Sequence, residues 1–555
     1  MPRLLRPLVL FSLCAFAPSL FAQPLAYVTD PTANTMNAIN TGTNTIARTI
    51  QNLSGADAVA ISSDGTRIYV SESASGKIAV FDGTKISDPN QNPLIKELDI
   101  GGQPVGLALS PDNKTLYVAD AQNNQAEAVD LNSGKIAKQY AAGSGVRALA
   151  LSPDGHLLAI GANDKTVTLY TLPWQSGFSA VKVVVSLSAA PKALAFDAQG
   201  QTLWIATATG FSSYDRNSGA VTDHPESGGT TSVAYSPRLN LVYTGAGTGN
   251  LVYTYVPGAG TVGQIGTYKP VRGLALSPDG TRLYAVQNCS NCGVAVISTA
   301  QGQALTQVSF GTAPVTAGQF VGPGPIYAAY ATTNSSVGEQ ISGTVTATDG
   351  KNRSLTYSNL IAPTLGQLSF NATGDFAYTP PAGYSGLQAF VWQAAAGSGD
   401  GSPNLPYSRP ITQSLAISPT VSSFDSQSAD GGATIGPLTF TIAGTTPLTV
   451  TVISNNNGVV NPAKATISSG CGTDSMNCNL TLVAGKSSGQ SARVTVQVSD
   501  PSGLVASTYF KVTIKGGSSG GGALAPWSLA LLAVLAVLAG FVALRKRRHG
   551  NLRER

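Results

Sequence analysis

The stretch Gly273-Leu-Ala-Leu-Ser-Pro-Asp-Gly-Thr-Arg-Leu-Tyr-Ala-Val286 decides the fold. Leu274 and Leu276 alternate with small residues, as along a half-buried strand, and Leu283 to Val286 favours a second strand. Between them Ser277-Pro-Asp-Gly280 supplies a proline with preset φ and a glycine that tolerates positive φ, the ingredients of a tight turn. A hairpin this small cannot bury both faces alone, so it must be completed by neighbours.

The unit recurs. Aligned on the apolar residue before the turn, seven copies stand at Ile61, Leu109, Leu151, Phe196, Tyr235, Leu276 and Phe320, spaced 39 to 48 residues apart. Eight positions on, five copies carry an aromatic (Tyr69, Tyr117, Trp204, Tyr243 and Tyr284), while Ala159 and Ala328 are exceptions. A third strand follows in most copies, as in Ile78-Ala-Val-Phe-Asp82, and then a fourth, as in Leu94-Ile-Lys-Glu-Leu98. Four strands in roughly 40 to 45 residues is the period of a propeller blade, whose small sheet buries its faces against the next. The expected fold is therefore all-β, with a seven-bladed β-propeller over residues 23–321. Ala26 to Ile50 supplies three strands without an inner one, and Pro314 to Phe320 offers an inner strand without certain followers, so the two ends are expected to close the ring together.

Tyr27-Val-Thr-Asp30, Tyr69-Val-Ser71 and Tyr117-Val-Ala-Asp120, each in a Ser-Pro-Asp-Gly-type frame, resemble the YVTN-type seven-bladed propeller repeats of bacterial exported proteins, over about residues 24 to 321. Asp197-Ala-Gln-Gly200, Ser236-Pro-Arg-Leu239 and Val321-Gly-Pro-Gly324 depart from the turn pattern. Residues 322–418 resemble the cadherin-like, immunoglobulin-type β-sandwiches of bacterial surface proteins, through Ile341-Ser-Gly-Thr-Val-Thr-Ala-Thr-Asp349, Gly366-Gln-Leu-Ser-Phe370 and Phe376-Ala-Tyr-Thr-Pro380. In that family an acidic loop after Ala-Thr-Asp often binds calcium; here Asp349 is followed by Gly-Lys-Asn-Arg, whose two cations oppose a divalent ion. Residues 419–515 carry six or seven strands separated by Gly, Asn, Asp and Pro, and Val498-Ser-Asp-Pro-Ser-Gly-Leu504 is similar to bacterial immunoglobulin-like modules.

The two ends are read as addresses. Residues 1–22 hold Arg3, Arg6 and an apolar run from Leu8 to Ala17, the order of parts in a secretory signal peptide. At the other end a Gly/Ser linker, 516–522, precedes an uncharged apolar segment, 523–544, and a basic tail, 545–555. Twenty-two residues of helix reach about 33 Å, enough for a transmembrane helix, and the basic tail is expected in the cytoplasm. Glycines, helix and terminal Arg/Lys cluster together resemble a GlyGly-CTERM sorting signal. That resemblance implies processing near Gly516, Gly517, Gly520, Gly521 and Gly522 by a rhombosortase-type protease, and passage to the surface or medium with type II secretion. The formal net charge of +5 also belongs to these ends: residues 23–544 carry 25 basic against 27 acidic groups. No basic field remains for nucleic acid.

Four cysteines outside the signal segment fall in two close pairs, Cys289 with Cys292 and Cys471 with Cys478, and read as two local disulfides in an exported chain. His156, His224 and His549 have no metal-ligand spacing and read as loop residues, no metal site is assigned, and no cofactor motif is recognised. Four residues before each repeat anchor an inner strand begins, and a closed ring gathers these positions at one mouth of its channel. They are Asp57, Val105, Arg147, Lys192, Thr231, Arg272 and Thr316. Asp57, Arg147, Lys192 and Arg272 form a candidate site for an anionic small molecule, a glycan or an envelope protein. The function expected is that of a non-enzymatic, exported recognition or adhesion protein with a propeller head on an Ig-like stalk. The alternatives are a propeller enzyme, lactonase-like or dehydrogenase-subunit-like, and a structural envelope protein without a specific ligand.

Overall fold

The structure is a computed structural model that describes residues 25–515 apart from 173–180, 313, 317–318, 324–325, 329–330, 350–352, 397–407 and 409. It is almost wholly β, with two short 3-10 turns at Gly83–Lys85 and Pro462–Lys464. The expected signal segment, linker, transmembrane helix and tail lie outside the described residues. Among the described residues no helix is long and apolar enough to cross a membrane.

Residues 25–321 form seven antiparallel sheets whose strands follow chain order from inside to outside. The sequence grades with that order. Second strands are nearly all buried, as in Leu157–Ala162, whereas outer strands such as Lys135–Ala141 face solvent along most of their length. The turn chemistry is as the repeat implies. In the Gly273 to Val286 copy Gly280 has φ +67°, Ser277 Oγ donates to Asp279 Oδ1 at 2.6 Å, and Ser277 Oγ also accepts from Arg282 N at 2.9 Å. Proline, glycine and two short polar side chains thus satisfy the turn internally. Where the pattern erodes, a substitute does the work: Asp197 replaces the serine and accepts from Gln201 N and Thr202 N. In the fifth copy Asn240 takes the left-handed residue, at φ +49°.

The first blade is completed from the far end of the ring. Leu25–Asp30, Thr35–Asn40 and Thr45–Ile50 form three of its strands, and Phe320 and Val321 lie along the inner edge. Tyr27 N donates to Phe320 O at 2.7 Å and Gly322 N to Leu25 O at 2.8 Å. One apolar core joins Met36, Ile39 and Phe320 to Tyr284 and Val296 of the last blade. The ring is closed by burying the two ends of the repeat against each other, which removes the exposed edge an open array would leave.

The first sandwich pairs Ala331–Ser336, Ile411–Ser418, Gly386–Ala396 and Leu355–Ile361 in one sheet, with Ile341–Thr344, Asp375–Thr379 and Gln367–Phe370 in the other. Phe376, Tyr378, Phe390, Trp392 and Ile417 fill the space between them. This domain belongs to the same compact unit as the propeller. Thr412 Oγ1 donates to Ala198 O at 2.8 Å, and Gln199 Nε2 donates to Ala362 O at 2.8 Å and Ala389 O at 3.1 Å. The expectation of a stalk built from two sandwiches is altered here, because the first one packs on the propeller's Ser-Pro-Asp-Gly end. A second unit holds the other sandwich, with Thr434–Ala443 and Asn477–Val483 in one sheet and Val505–Ile514, Ser491–Ser499 and Thr449–Ser454 in the other. Phe440, Val494, Val496 and Phe510 form its centre.

Candidate functional site

Six of the seven inner strands carry a β-bulge near their start, and the extra residue falls at the positions expected at the mouth. Pairing skips Val105, Arg147, Lys192, Thr231 and Arg272, and Asp57-Ala58 together oppose Ser71. A bulge bends its strand and re-aims a side chain away from the alternating in-and-out pattern. These side chains therefore leave the packed faces between blades and turn to the channel, where Asp57, Val105, Arg147, Lys192, Thr231 and Arg272 all line one cavity of about 1300 Å³. The seventh position departs. Thr316 is fully buried in the ring closure, where its Oγ1 accepts from Thr29 N at 2.6 Å, and Val315 lines the channel instead.

The mouth is electrostatically uneven. Arg147, Lys192 and Arg272 are exposed, and none of the three makes an ion pair among the described residues. Asp57 is half-buried. Burial pushes its carboxyl up to about 6, although Arg272 and Arg147 pull the other way. The backbone around it is tied across blades: Thr29 Oγ1 donates to Asp57 O, and Thr231 Oγ1 to Val271 O. Such ties hold the bulges in place, so the cations are presented from a rigid frame.

Residues that the repeat count did not single out complete the mouth. Gln103, Asn163 and Asn288 line it from the loops around the first and third strands, and Arg272 Nη1 donates to Asn288 Oδ1 at 3.5 Å. The only signal for them in the chain is their place immediately outside a strand. Asn288 precedes the Cys289–Cys292 disulfide, which lies in the turn between Arg282–Gln287 and Cys292–Ser298; Cys471 and Cys478 form the second disulfide. The far end of the cavity is walled by Ile326, Val391, Ile411 and Thr412 of the first sandwich.

The histidines are more enclosed than loop residues would be. His156 and His224 are half-buried, and His224 lies in the outer strand Val221–Pro225, stacked on Phe211 at 4.6 Å with its Nε2 3.1 Å from Ser213 Oγ. Burial lowers the pKa of both. In the first sandwich Arg353 grips Asp349 side-on with one guanidinium edge, Nε to Oδ2 at 2.9 Å and Nη2 to Oδ1 at 3.1 Å. The carboxylate that a calcium loop would offer is thus paired with a cation of the chain. Among the described residues no three His, Cys, Asp or Glu side chains are grouped to share a metal. The mouth can thus hold a negative charge on three cations and accept a hydroxyl proton on Asp57.

Comparison with known proteins bears on parts of the chain. The family described as "Lactonase, 7-bladed beta-propeller" matches residues 25–142, "WD domain, G-beta repeat" matches 134–171, and "Bacterial Ig domain" matches 323–404. No curated protein matches. Among solved structures, Kuenenia stuttgartiensis hydrazine synthase is 19% identical, with a TM-score of 0.43, covering 49% of this chain and 92% of that one. A functionally unknown protein from Desulfotomaculum acetoxidans DSM 771 is 14% identical with a TM-score of 0.44, covering 53% of this chain and 99% of that one. The family matches support a seven-bladed propeller joined to a bacterial Ig-like domain.

Proposed function

We propose that this chain is an exported recognition protein whose propeller binds an anionic ligand at the mouth formed by Asp57, Arg147, Lys192 and Arg272. The observation that carries this reading is that bulges in separate blades turn three cations, with no ion pair among the described residues, into the same cavity. Cations scattered on outer strands would be solvated surface; cations re-aimed at a channel by the same backbone device form a focused positive field. The signal segment and the Gly-rich, apolar and basic C-terminal parts support export, membrane attachment through 523–544, and display or release after cleavage by a rhombosortase-type protease with type II secretion. An adhesive role toward a glycan or envelope protein fits the Ig-like modules.

Calorimetric titration of the full chain with citrate, phosphate and galacturonate tests the mouth. At least one should bind, and replacing Arg147, Lys192 and Arg272 together with Gln should weaken it at least about tenfold, the scale of one lost charged hydrogen bond. Unchanged affinity in that variant, or no binding of any anion by the native chain, overturns the reading. In the latter case a structural envelope role is the better account.

A second reading, a lactonase-like enzyme, is favoured by the match at 25–142 and by Asp57, whose raised pKa suits a general base beside two arginines. A panel of lactones tests it: turnover abolished by Asp57→Asn supports an enzyme, and no turnover of any lactone by the native chain argues against one.

A further inference from the structure

The channel has walls of mixed character, with the cationic mouth at one end and the first sandwich lying across the other. Each inner strand pairs with a strand on one side only, so its other edge, with backbone N–H and C=O groups, faces the axis. The side chains between mix small ones, such as Gly106, Ala108, Ala195 and Ala234, with apolar ones, such as Leu149, Leu194 and Leu276, which could pack against the C–H face of a sugar ring. An acyl chain seated here would strip water from those backbone groups and return no hydrogen bonds, which is costly. A polyol would replace the water with hydroxyls at each level. At the Ser-Pro-Asp-Gly end the first sandwich lines the passage with Val391, Ile411 and Thr412, seated by the Thr412 to Ala198 and Gln199 to Ala389 hydrogen bonds.

We infer that the propeller is an end-binder of acidic oligosaccharides: the terminal sugar enters the channel through the cationic mouth and runs toward the sandwich, its carboxylate on Arg147, Lys192 and Arg272, and a hydroxyl on Asp57. This rests on the anion-binding reading above and goes further, by naming the ligand class and the direction of entry. Asp57 supplies the selectivity. No hydrogen bond to its carboxylate is made among the described residues, so it is available to accept from a sugar hydroxyl, and it repels an anion that carries none. A through-channel could thread the middle of a polymer, but a channel floored by the sandwich accepts an end.

The test uses the full chain with short and long oligogalacturonates and with sulfate. One protein should bind per oligosaccharide chain whatever its length, and Asp57→Ala should weaken the oligosaccharide on the order of tenfold while strengthening sulfate. Several proteins per long chain would overturn end-binding. Stronger binding of both ligands by Asp57→Ala would overturn the hydroxyl contact. Either result leaves the anion-binding mouth standing if the triple Gln variant still loses affinity, so the two claims fail separately. Thermal unfolding of Asp57→Ala and of the milder Asp57→Asn identifies a folding defect, and Asp57→Asn, which keeps an acceptor, should retain more oligosaccharide affinity than Asp57→Ala. Equal loss in two well-folded variants also counts against the hydroxyl contact.

Discussion

Replacing Asp57 with Asn should stabilise the propeller, and only above the pH at which the carboxyl ionises. Burial raises this group from 3.8 to about 6 in the folded chain, so the folded state holds its proton more tightly than the unfolded one. Below about pH 4 both states are protonated and Asp57 costs nothing. Between about pH 4 and 6 the unfolded chain has lost the proton while the folded chain keeps it, so stability falls as pH rises. Above about pH 6 both are ionised and the full cost, about 3 kcal/mol, is present. Asn removes the charge at the same volume, so the variant should gain about 2 to 3 kcal/mol at neutral pH, less whatever the amide loses in hydrogen bonding, and nothing below pH 4. Calorimetric scans across this range should show the propeller's transition raised by roughly 5 °C at neutral pH, with the gain vanishing in acid. A gain independent of pH, or a loss at neutral pH, would refute the reasoning that Asp57 sits unsatisfied at the mouth for a reason other than stability.

Three further outcomes follow from packing and cross-links. Phe320→Ala, at a fully buried position in the ring closure, should cost about 3 to 5 kcal/mol in denaturant unfolding, whereas Val183→Ala on an exposed outer strand should change stability by less than about 0.5 kcal/mol. Arg353→Ala leaves the Asp349 carboxylate buried without its main partner and should cost the first sandwich about 3 kcal/mol, part of which Asp349→Asn in the same chain restores; a neutral single variant would show the pair to be incidental. Reducing Cys471–Cys478 opens a loop of sequence separation 7 and should lower the second sandwich's stability by about 2 kcal/mol, read as an earlier urea midpoint.

The blades were legible because one turn, Ser-Pro-Asp-Gly, is chemically self-sufficient and recurs at a near-constant period. Counting back from its anchor reached the mouth without any knowledge of geometry, since every hairpin has nearly the same length. What the count could not reveal is the bulge: an extra residue that leaves the spacing unchanged is invisible in composition, yet it is what aims Arg147, Lys192 and Arg272 at the axis. The count also placed Thr316 with them, and failed there because the ring closes through that segment and buries the hydroxyl under Thr29.

The eroded turns hold a second lesson. Asp197-Ala-Gln-Gly200 looked like decay of the repeat, but Ala198 and Gln199 are the residues that seat the first sandwich. Arg238, in the eroded fifth turn, likewise lines the covered end of the cavity and donates to Asp279 O at 2.9 Å. At Asp197-Ala-Gln-Gly200 the departure from the consensus marks a turn that faces another domain rather than water. A single chain cannot distinguish that from drift, because the partner surface, Ala362, Ala389 and Thr412, lies more than 150 residues downstream and carries no motif of its own.

The central claim is that the mouth is where ligand sits, and labelling of Lys192 tests it most directly. The exposed amine should react with an acylating reagent in the free chain and be protected by oligogalacturonate, while Lys135 and Lys138 on an outer strand stay equally reactive. Mass spectrometry of the digested chain reads all three at once. Protection confined to Lys192 is the predicted result; equal labelling of Lys192 with and without bound ligand would contradict it.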